Sequence, residues 1–368
     1  MDKVRFIVAG GFLGAGKTTA LTWLAHSLQA TGMRTAVVMN DQGERLVDTA
    51  FGQAMGLPMA EVTGGCFCCR FDDLAATTVA LVERDGVEVV LAEAVGSCTD
   101  LTATVIRPLR AYFGERFAVA PLTVFVDPMR LRELETVDVG ALMPYLFDKQ
   151  LEDGRILVLN KQDLLAAGER AELEWKLEQR FPSAEVLSVS AAIGSGMREL
   201  RDRLLAEVSE DASAPGLRAI DYTTYAEAEA ELAWLNAQIV VNNNHHQANA
   251  SASDWLRVFA SELSNRCAHE RLWIGHVKAY MATPNGASKA SVLRAGQAPQ
   301  FDLDDPRPFV EARLLVNARV RARPADLDAV VLASLARVDA RLHTTSTVES
   351  LRSFSPSPPR PTYRLALT

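Results

Sequence analysis

Six short apolar runs punctuate the first two hundred residues, at 4–9, 34–39, 87–92, 121–126, 155–160 and 185–189. Between them, apolar positions recur at helical spacing over 17–30, 72–84, 99–113, 169–180 and 196–208. Strand-length runs alternating with amphipathic segments predict an α/β fold, an open and mostly parallel sheet with helices on both faces. Ligands of such sheets sit beyond the carboxyl ends of the strands. The pattern changes at Ser209-Glu210-Asp211-Ala212-Ser213-Ala214-Pro215-Gly216, so the first domain is placed at 1–208 and a linker at 209–219. Beyond it, 230–241 reads as a strand and 242–251 as a polar loop. Residues 252–269 read as a helix through Trp255, Leu256, Phe259 and Leu263. Strands are predicted at 271–282, 288–294 and 311–321, with a last helix from Pro324 to about Arg341. The order β-α-β-β-β-α predicts a smaller α+β domain over 220–341, one sheet with helices on one face. The tail 342–368 is rich in proline and serine and is expected to be flexible, because proline breaks helices and central strands.

The loops between these elements carry the chemistry. Gly11-Phe12-Leu13-Gly14-Ala15-Gly16-Lys17-Thr18 lies between the first strand and the first helix, and it has the G-x-x-x-x-G-K-[ST] spacing of a phosphate loop. Glycines let the backbone fold tightly, so that successive N–H groups and a helix N-terminus point at an anion. Lys17 is expected to reach the β- and γ-phosphates, and the Thr18 hydroxyl to hold Mg²⁺. Asn160-Lys161-Gln162-Asp163 follows the strand at 155–160. A carboxylate at Asp163 can accept both the ring N1–H and the exocyclic amine of guanine, and adenine has neither donor there. Asn160 and Lys161 are expected to brace the base and the phosphate loop, and Ser190-Ala191 to offer a backbone contact to the base oxygen. Glu93-Ala94-Val95-Gly96 ends another strand. Glu93 could bind Mg²⁺ through water or orient the attacking water, and the Gly96 N–H could sense the γ-phosphate. Asp41 and Glu44 fall in a segment expected to switch with nucleotide state.

Composition narrows the alternatives. A net charge of −8 disfavours a general nucleic-acid or anionic-membrane surface. No uncharged apolar run reaches the ~18–20 residues of a membrane span. Met1-Asp2-Lys3-Val4 leads directly into the first strand, so a secretory signal is not expected and the reading is cytoplasmic. Three of the five cysteines crowd into Cys66-Phe67-Cys68-Cys69, unlike the spread, paired cysteines of a disulfide framework. Three sulfurs so close can converge on one borderline metal, Zn²⁺ or Co²⁺. A fourth donor could be water, a side chain such as Glu44 or a histidine, or a group from a partner. Cys98 is expected to be a buried thiol, Cys267 a core residue, and His245-His246 part of a solvated loop.

Taken together, these motifs resemble the CobW family of G-protein metallochaperones, relatives of the GTPases that help insert nickel into urease and hydrogenase. The resemblance rests on Gly11–Thr18 followed by Thr19, Glu61 leading into Gly65-Cys66-Phe67-Cys68-Cys69, Glu93–Gly96, and Asn160–Asp163. It departs at Ala94-Val95-Gly96-Ser97-Cys98, where the family text is Thr-Thr-Gly, and at Asp41-Gln42, where it is Glu-Phe. The resemblance implies GTP hydrolysis with Mg²⁺, with Lys17 and Glu93 as catalytic groups. It implies nucleotide contacts from Gly11, Gly14, Ala15, Gly16, Lys17, Thr18, Thr19, Gly96, Asn160, Lys161, Asp163, Ser190 and Ala191. It implies metal binding at Cys66, Cys68 and Cys69 and dimerisation tied to the GTP state; the client is not given by the resemblance, and delivery to a client metalloprotein or cobalamin pathway is the expectation built on these sites. The competing expectations are a nucleotide-regulated metal buffer and a G-protein chaperone of a cobalamin-dependent enzyme.

Overall fold

The computed structural model describes residues 3–41, 47–136, 141–206, 219–243 and 250–366. The chain divides into two units, Met1–Gln42, Gly52–Ala228 and Pro358–Thr368 in one, Gly43–Phe51 and Glu229–Ser357 in the other.

In the first unit the elements follow as β1 (Val4–Gly11), α1 (Lys17–Ala30), β2 (Thr35–Asn40), α2 (Val47–Ala54, shared with the second unit), β3 (Met59–Val62), α3 (Phe71–Asp85) and β4 (Val89–Glu93). A π-helical turn, Thr102–Ile106, runs into α4 (Arg107–Phe113), followed by β5 (Phe117–Val119), β6 (Thr123–Val126), α5 (Pro128–Thr136) and α6 (Leu142–Asp153). Then come β7 (Ile156–Leu159), a 3₁₀ turn at Gln162–Leu164, α7 (Ala167–Arg180), β8 (Glu185–Ser188), α8 (Met197–Leu205) and α9 (Tyr222–Ala230). The sheet runs β3-β2-β4-β1-β6-β7-β8, with β5 also beside β1, and its pairings are parallel. Helices on both faces explain why the central strands are unbroken apolar runs. Phe6, Ile7, Val8 and Ala9 of β1 are all buried, as are Val90, Leu91 and Ala92 of β4. Because β1 lies between β4 and β6, the loops leaving β1, β4 and β6 emerge side by side at the carboxyl edge.

The second unit is a six-stranded antiparallel sheet, β12-β11-β10-β13-β9-β14. Its elements are β9 (Leu232–Asn243), α10 (Ala252–His269), β10 (Trp273–Thr283), β11 (Gly286–Val292), β12 (Gln300–Leu303), β13 (Glu311–Arg321), α11 (Pro324–Leu342) and β14 (Thr344–Phe354). Ser251 starts α10 by accepting the Asp254 N–H at 3.0 Å while the Asp254 carboxylate reaches back to Ser251. Trp255, Phe259 and Leu263 of α10 and Leu327, Val331 and Leu335 of α11 share one core with Ile239, Val277 and Val316 of the sheet. The start of α2 also belongs here. Val47 and Phe51 cluster with Tyr280, and the Val47 N–H donates to Asn317 Oδ1 at 2.8 Å. Asp48 pairs with Lys278, and with Lys289 at 3.4 Å. Burial pushes the Asp48 carboxyl up, but the two ammonium groups outweigh it and hold it well below the usual carboxylate range.

Several sequence expectations change. The tail expected to be flexible over 342–368 contains β14, a strand free of proline and rich in threonine, which pairs with β9 along its length. Residues 358–366 join the first unit. The boundary expected near 220 falls at about 228, because α9 packs with the first unit. Most of the expected linker lies outside the described residues. The short elements β3, β5, β12, α2, α5, α6 and α9 were not anticipated.

Candidate nucleotide and metal site

Gly16 sits at φ 86°, where a left-handed backbone starts α1, and a Cβ there would lie 2.4 Å from the Asn160 amide nitrogen. The first turn of α1 carries no acidic side chain to oppose an anion at its N-terminus. Lys17 is buried and folds over the loop, its Nζ donating to Gly11 O at 2.7 Å and Phe12 O at 3.3 Å. The Thr18 hydroxyl donates to Glu93 Oε1 at 3.1 Å, and both side chains are buried. Hydroxyl and carboxylate oxygens are hard donors that fit Mg²⁺. Gly96 packs directly on the phosphate loop, where a Cβ would lie 2.6 Å from Leu13 Cδ2 and 3.2 Å from Leu13 Cα. Thr19 is half-buried on the same helical turn.

Two of the predicted base-site residues, Asn160 and Lys161, reach the same loop. Asn160 Nδ2 donates to Ala15 O at 2.9 Å. Its Oδ1 accepts from the Lys161 N–H at 2.8 Å and the Ala191 N–H at 3.0 Å. Lys161 donates to Gly14 O at 2.7 Å and pairs with Asp127 at 2.8 Å. Asp163 is exposed on its 3₁₀ turn. Ser190 is buried, and its N–H closes a short loop on Ser195 O at 2.8 Å. Asp127 was not singled out from sequence. Its signal was a carboxylate directly after the strand predicted at 121–126, just as Glu93 directly follows the strand predicted at 87–92.

The cysteines occupy a turn between β3 and α3, where the Cys69 and Arg70 N–H groups both donate to Cys66 O at 2.9 Å. Asn40, at the end of β2, holds this turn. Its Nδ2 donates to Val62 O and Gly65 O at 2.9 and 2.8 Å, and its Oδ1 accepts the Phe67 N–H at 2.7 Å. The Sγ atoms of Cys66, Cys68 and Cys69 lie 2.8, 3.2 and 3.7 Å apart, so one ion can reach all three. Cys98 is a buried thiol as expected, and it also makes side-chain hydrogen-bond contact with Cys66 and Cys68. Hydrogen bonding with Cys68, Cys69 and Cys98 holds the Cys66 thiol well below its usual range. The same bond to Cys66 pushes Cys69 up to about 11, and Cys68 rises for the same reason. Cys267 is buried in the second unit's core. Glu44, His245 and His246 lie outside the described residues.

Sequence reasoning missed the end of the chain. The Arg360 N–H donates to Cys69 Sγ at 3.1 Å, and Thr362 donates to Cys68 O at 2.8 Å and Cys69 O at 3.3 Å. Among the described residues no helix is long and apolar enough to cross a membrane.

Comparison with known proteins fits this geometry. The zinc chaperone CobW of Sinorhizobium sp is 28% identical over 195 residues, 45% of this chain and 52% of that protein. The zinc chaperone CobW of Pseudomonas aeruginosa is 28% identical over 214 residues, 50% of this chain and 56% of that protein. The chain thus spans about half the length of these curated relatives. The zinc chaperone YjiA of Escherichia coli is 32% identical over 85 residues, 23% of this chain and 26% of that protein. The family described as "CobW/HypB/UreG, nucleotide-binding domain" matches residues 5–188, half of the chain and the whole run from phosphate loop through thiol turn to Asn160–Asp163, and the protein belongs to that family.

Proposed function

We propose that this protein is a GTP-hydrolysing metallochaperone that takes Zn²⁺ or Co²⁺ as cargo on Cys66, Cys68 and Cys69 and passes it to a client metalloprotein. One observation carries the reading. The loop leaving β4 meets both sites within six residues: Glu93 bonds Thr18, Gly96 packs on Leu13, and Cys98 touches Cys66 and Cys68. A shift of the phosphate loop against Gly96 would be felt at the sulfurs.

On this reading Lys17 exchanges its loop carbonyls for the terminal phosphates of GTP. Asp163 selects guanine, while Asn160 and Lys161 fix the loop that the phosphates enter. Thr18 would hold Mg²⁺, which would supply charge neutralisation at the phosphates. Catalysis is positioning and electrostatics, with Glu93 orienting water. GTP can favour metal capture only through a conformation that both ligands prefer, and a coupling of ~1–3 kcal/mol shifts affinity about 5–150-fold.

The test is Zn²⁺ and Co²⁺ affinity by chelator competition, with Mg²⁺ and either a non-hydrolysable GTP analogue or GDP. Tighter binding with the analogue is expected. Equal affinities would remove the gating and leave a GTPase whose thiols bind metal independently.

A further inference from the structure

The last residues of the described chain reach the cysteine turn through the Arg360 and Thr362 N–H groups and the Thr362 hydroxyl. We propose that residues 360–365 form a latch on the thiol site, in which the Arg360 N–H is an outer donor to the Cys69 sulfur and the latch must open for metal to exchange.

The contacts divide into a working part and an anchor. In the working part, Arg360 N–H meets Cys69 Sγ at 3.1 Å, and Thr362 ties down both the Cys68 and Cys69 carbonyls. In the anchor, Tyr363 stands edge-on to Phe71 with centroids 5.3 Å apart and lies 5.1 Å from Tyr112. Arg364 pairs with the buried Asp100 at 2.6 Å, and Asp100 also accepts the Tyr222 hydroxyl at 2.8 Å. The Leu365 N–H donates to Ala103 O at 2.9 Å, and the Leu365 carbonyl accepts from Arg107 at 2.9 Å. Prolines 358, 359 and 361 pre-set the extended backbone on either side of Arg360, which lowers the entropy lost in docking.

The physical effect follows from the sulfur. Cys69 is the one half-buried member of the trio, so it is the sulfur through which an acceptor would enter. A backbone N–H donated to a thiolate stabilises its charge and fixes its direction, as outer partners of metal ligands do. Loss of such partners typically costs about 10–100-fold in metal affinity. The prolines leave few backbone N–H groups in this stretch, and the one at Arg360 is aimed at the sulfur.

The metal half of this inference rests on the proposed reading of Cys66, Cys68 and Cys69 as ligands, whereas the thiol half does not. The experiment uses the full chain, a version ending at Ser357, Arg360→Pro, which removes the N–H donor together with the side chain, and Arg360→Ala, which removes the side chain and keeps the N–H. Iodoacetamide labelling of Cys69 is followed by mass spectrometry in metal-free protein, and Zn²⁺ transfer to a chelator is timed separately. Removal of the segment is expected to speed Cys69 labelling and Zn²⁺ transfer by about tenfold or more. Arg360→Pro should give part of the gain in Zn²⁺ transfer, whereas at the metal-free thiol its loss of thiolate stabilisation opposes any gain in access, and Arg360→Ala should match the parent. A wild-type labelling rate in the shortened chain, or a wild-type Zn²⁺ transfer rate in Arg360→Pro, would overturn the latch. Should the shortened chain not fold, the Arg360→Pro and Arg360→Ala pair decides alone. Faster labelling with no Zn²⁺ bound by any version would keep the latch and remove the metallochaperone reading instead.

Discussion

Replacement of Asn160 by alanine tests whether the loops around the nucleotide site act as one assembly. The side chain is 1% exposed and makes three hydrogen bonds, to Ala15 O, from the Lys161 N–H and from the Ala191 N–H. These join the phosphate loop, the Asn160–Asp163 loop and the loop after β8. Each bond contributes a net ~1 kcal/mol, and a buried group left unsatisfied costs ~1–3 kcal/mol. With three groups orphaned and some relaxation, we expect a loss of about 3 kcal/mol in the organised site. If the loops can close only on bound nucleotide, most of that appears as affinity, roughly 100-fold in Kd. Titration of a fluorescent GDP or GTP analogue measures it, with thermal melting as the control for folding. A folded Asn160→Ala protein whose nucleotide affinity changes less than threefold would refute the idea that this amide couples the loops.

The other predictions address the base, the metal and the second unit. Asp163→Asn should weaken GTP by at least about tenfold while favouring xanthosine triphosphate, whose ring presents a carbonyl in place of the guanine amine; competition binding with both nucleotides decides it. Cys98→Ser should weaken Zn²⁺ binding by about tenfold and shift the Co²⁺ absorption spectrum, whereas an unchanged spectrum would place Cys98 outside the coordination sphere. Asp48→Asn should destabilise the second unit by roughly 3 kcal/mol, near the low end for breaking a buried pair, because Lys289 keeps Asp302 at 3.0 Å and the Phe51 ring at 4.1 Å. The Asp48 carboxyl is held low, so its stabilisation is full above the unfolded value of ~3.9 and is lost as pH falls through the folded one. Urea unfolding of parent and Asp48→Asn should therefore differ most at neutral pH and converge towards acid pH, and a gap that widened on acidification would contradict the pairing.

What the sequence determined by itself was local: the parallel sheet with its helices, the phosphate loop, the Asn160–Asp163 motif and the cysteine turn. Each depends on a period or a spacing within a few residues, and backbone geometry converts such patterns directly into structure. The second unit's long elements were legible for the same reason, through Trp255, Phe259 and Leu263 on one face of α10. Tertiary structure alone decided the rest. Asp127 became the partner of Lys161 because β6 and β7 are neighbours in the sheet, and Cys98 met Cys66 because the β3 and β4 loops leave the same edge. Val47 to Phe51 joined the second unit, and residues 358–366 reached the thiols, through contacts between segments hundreds of positions apart. Such pairings are chosen by shape, charge and backbone hydrogen bonding once the sheets exist, and a one-dimensional pattern holds no term for them.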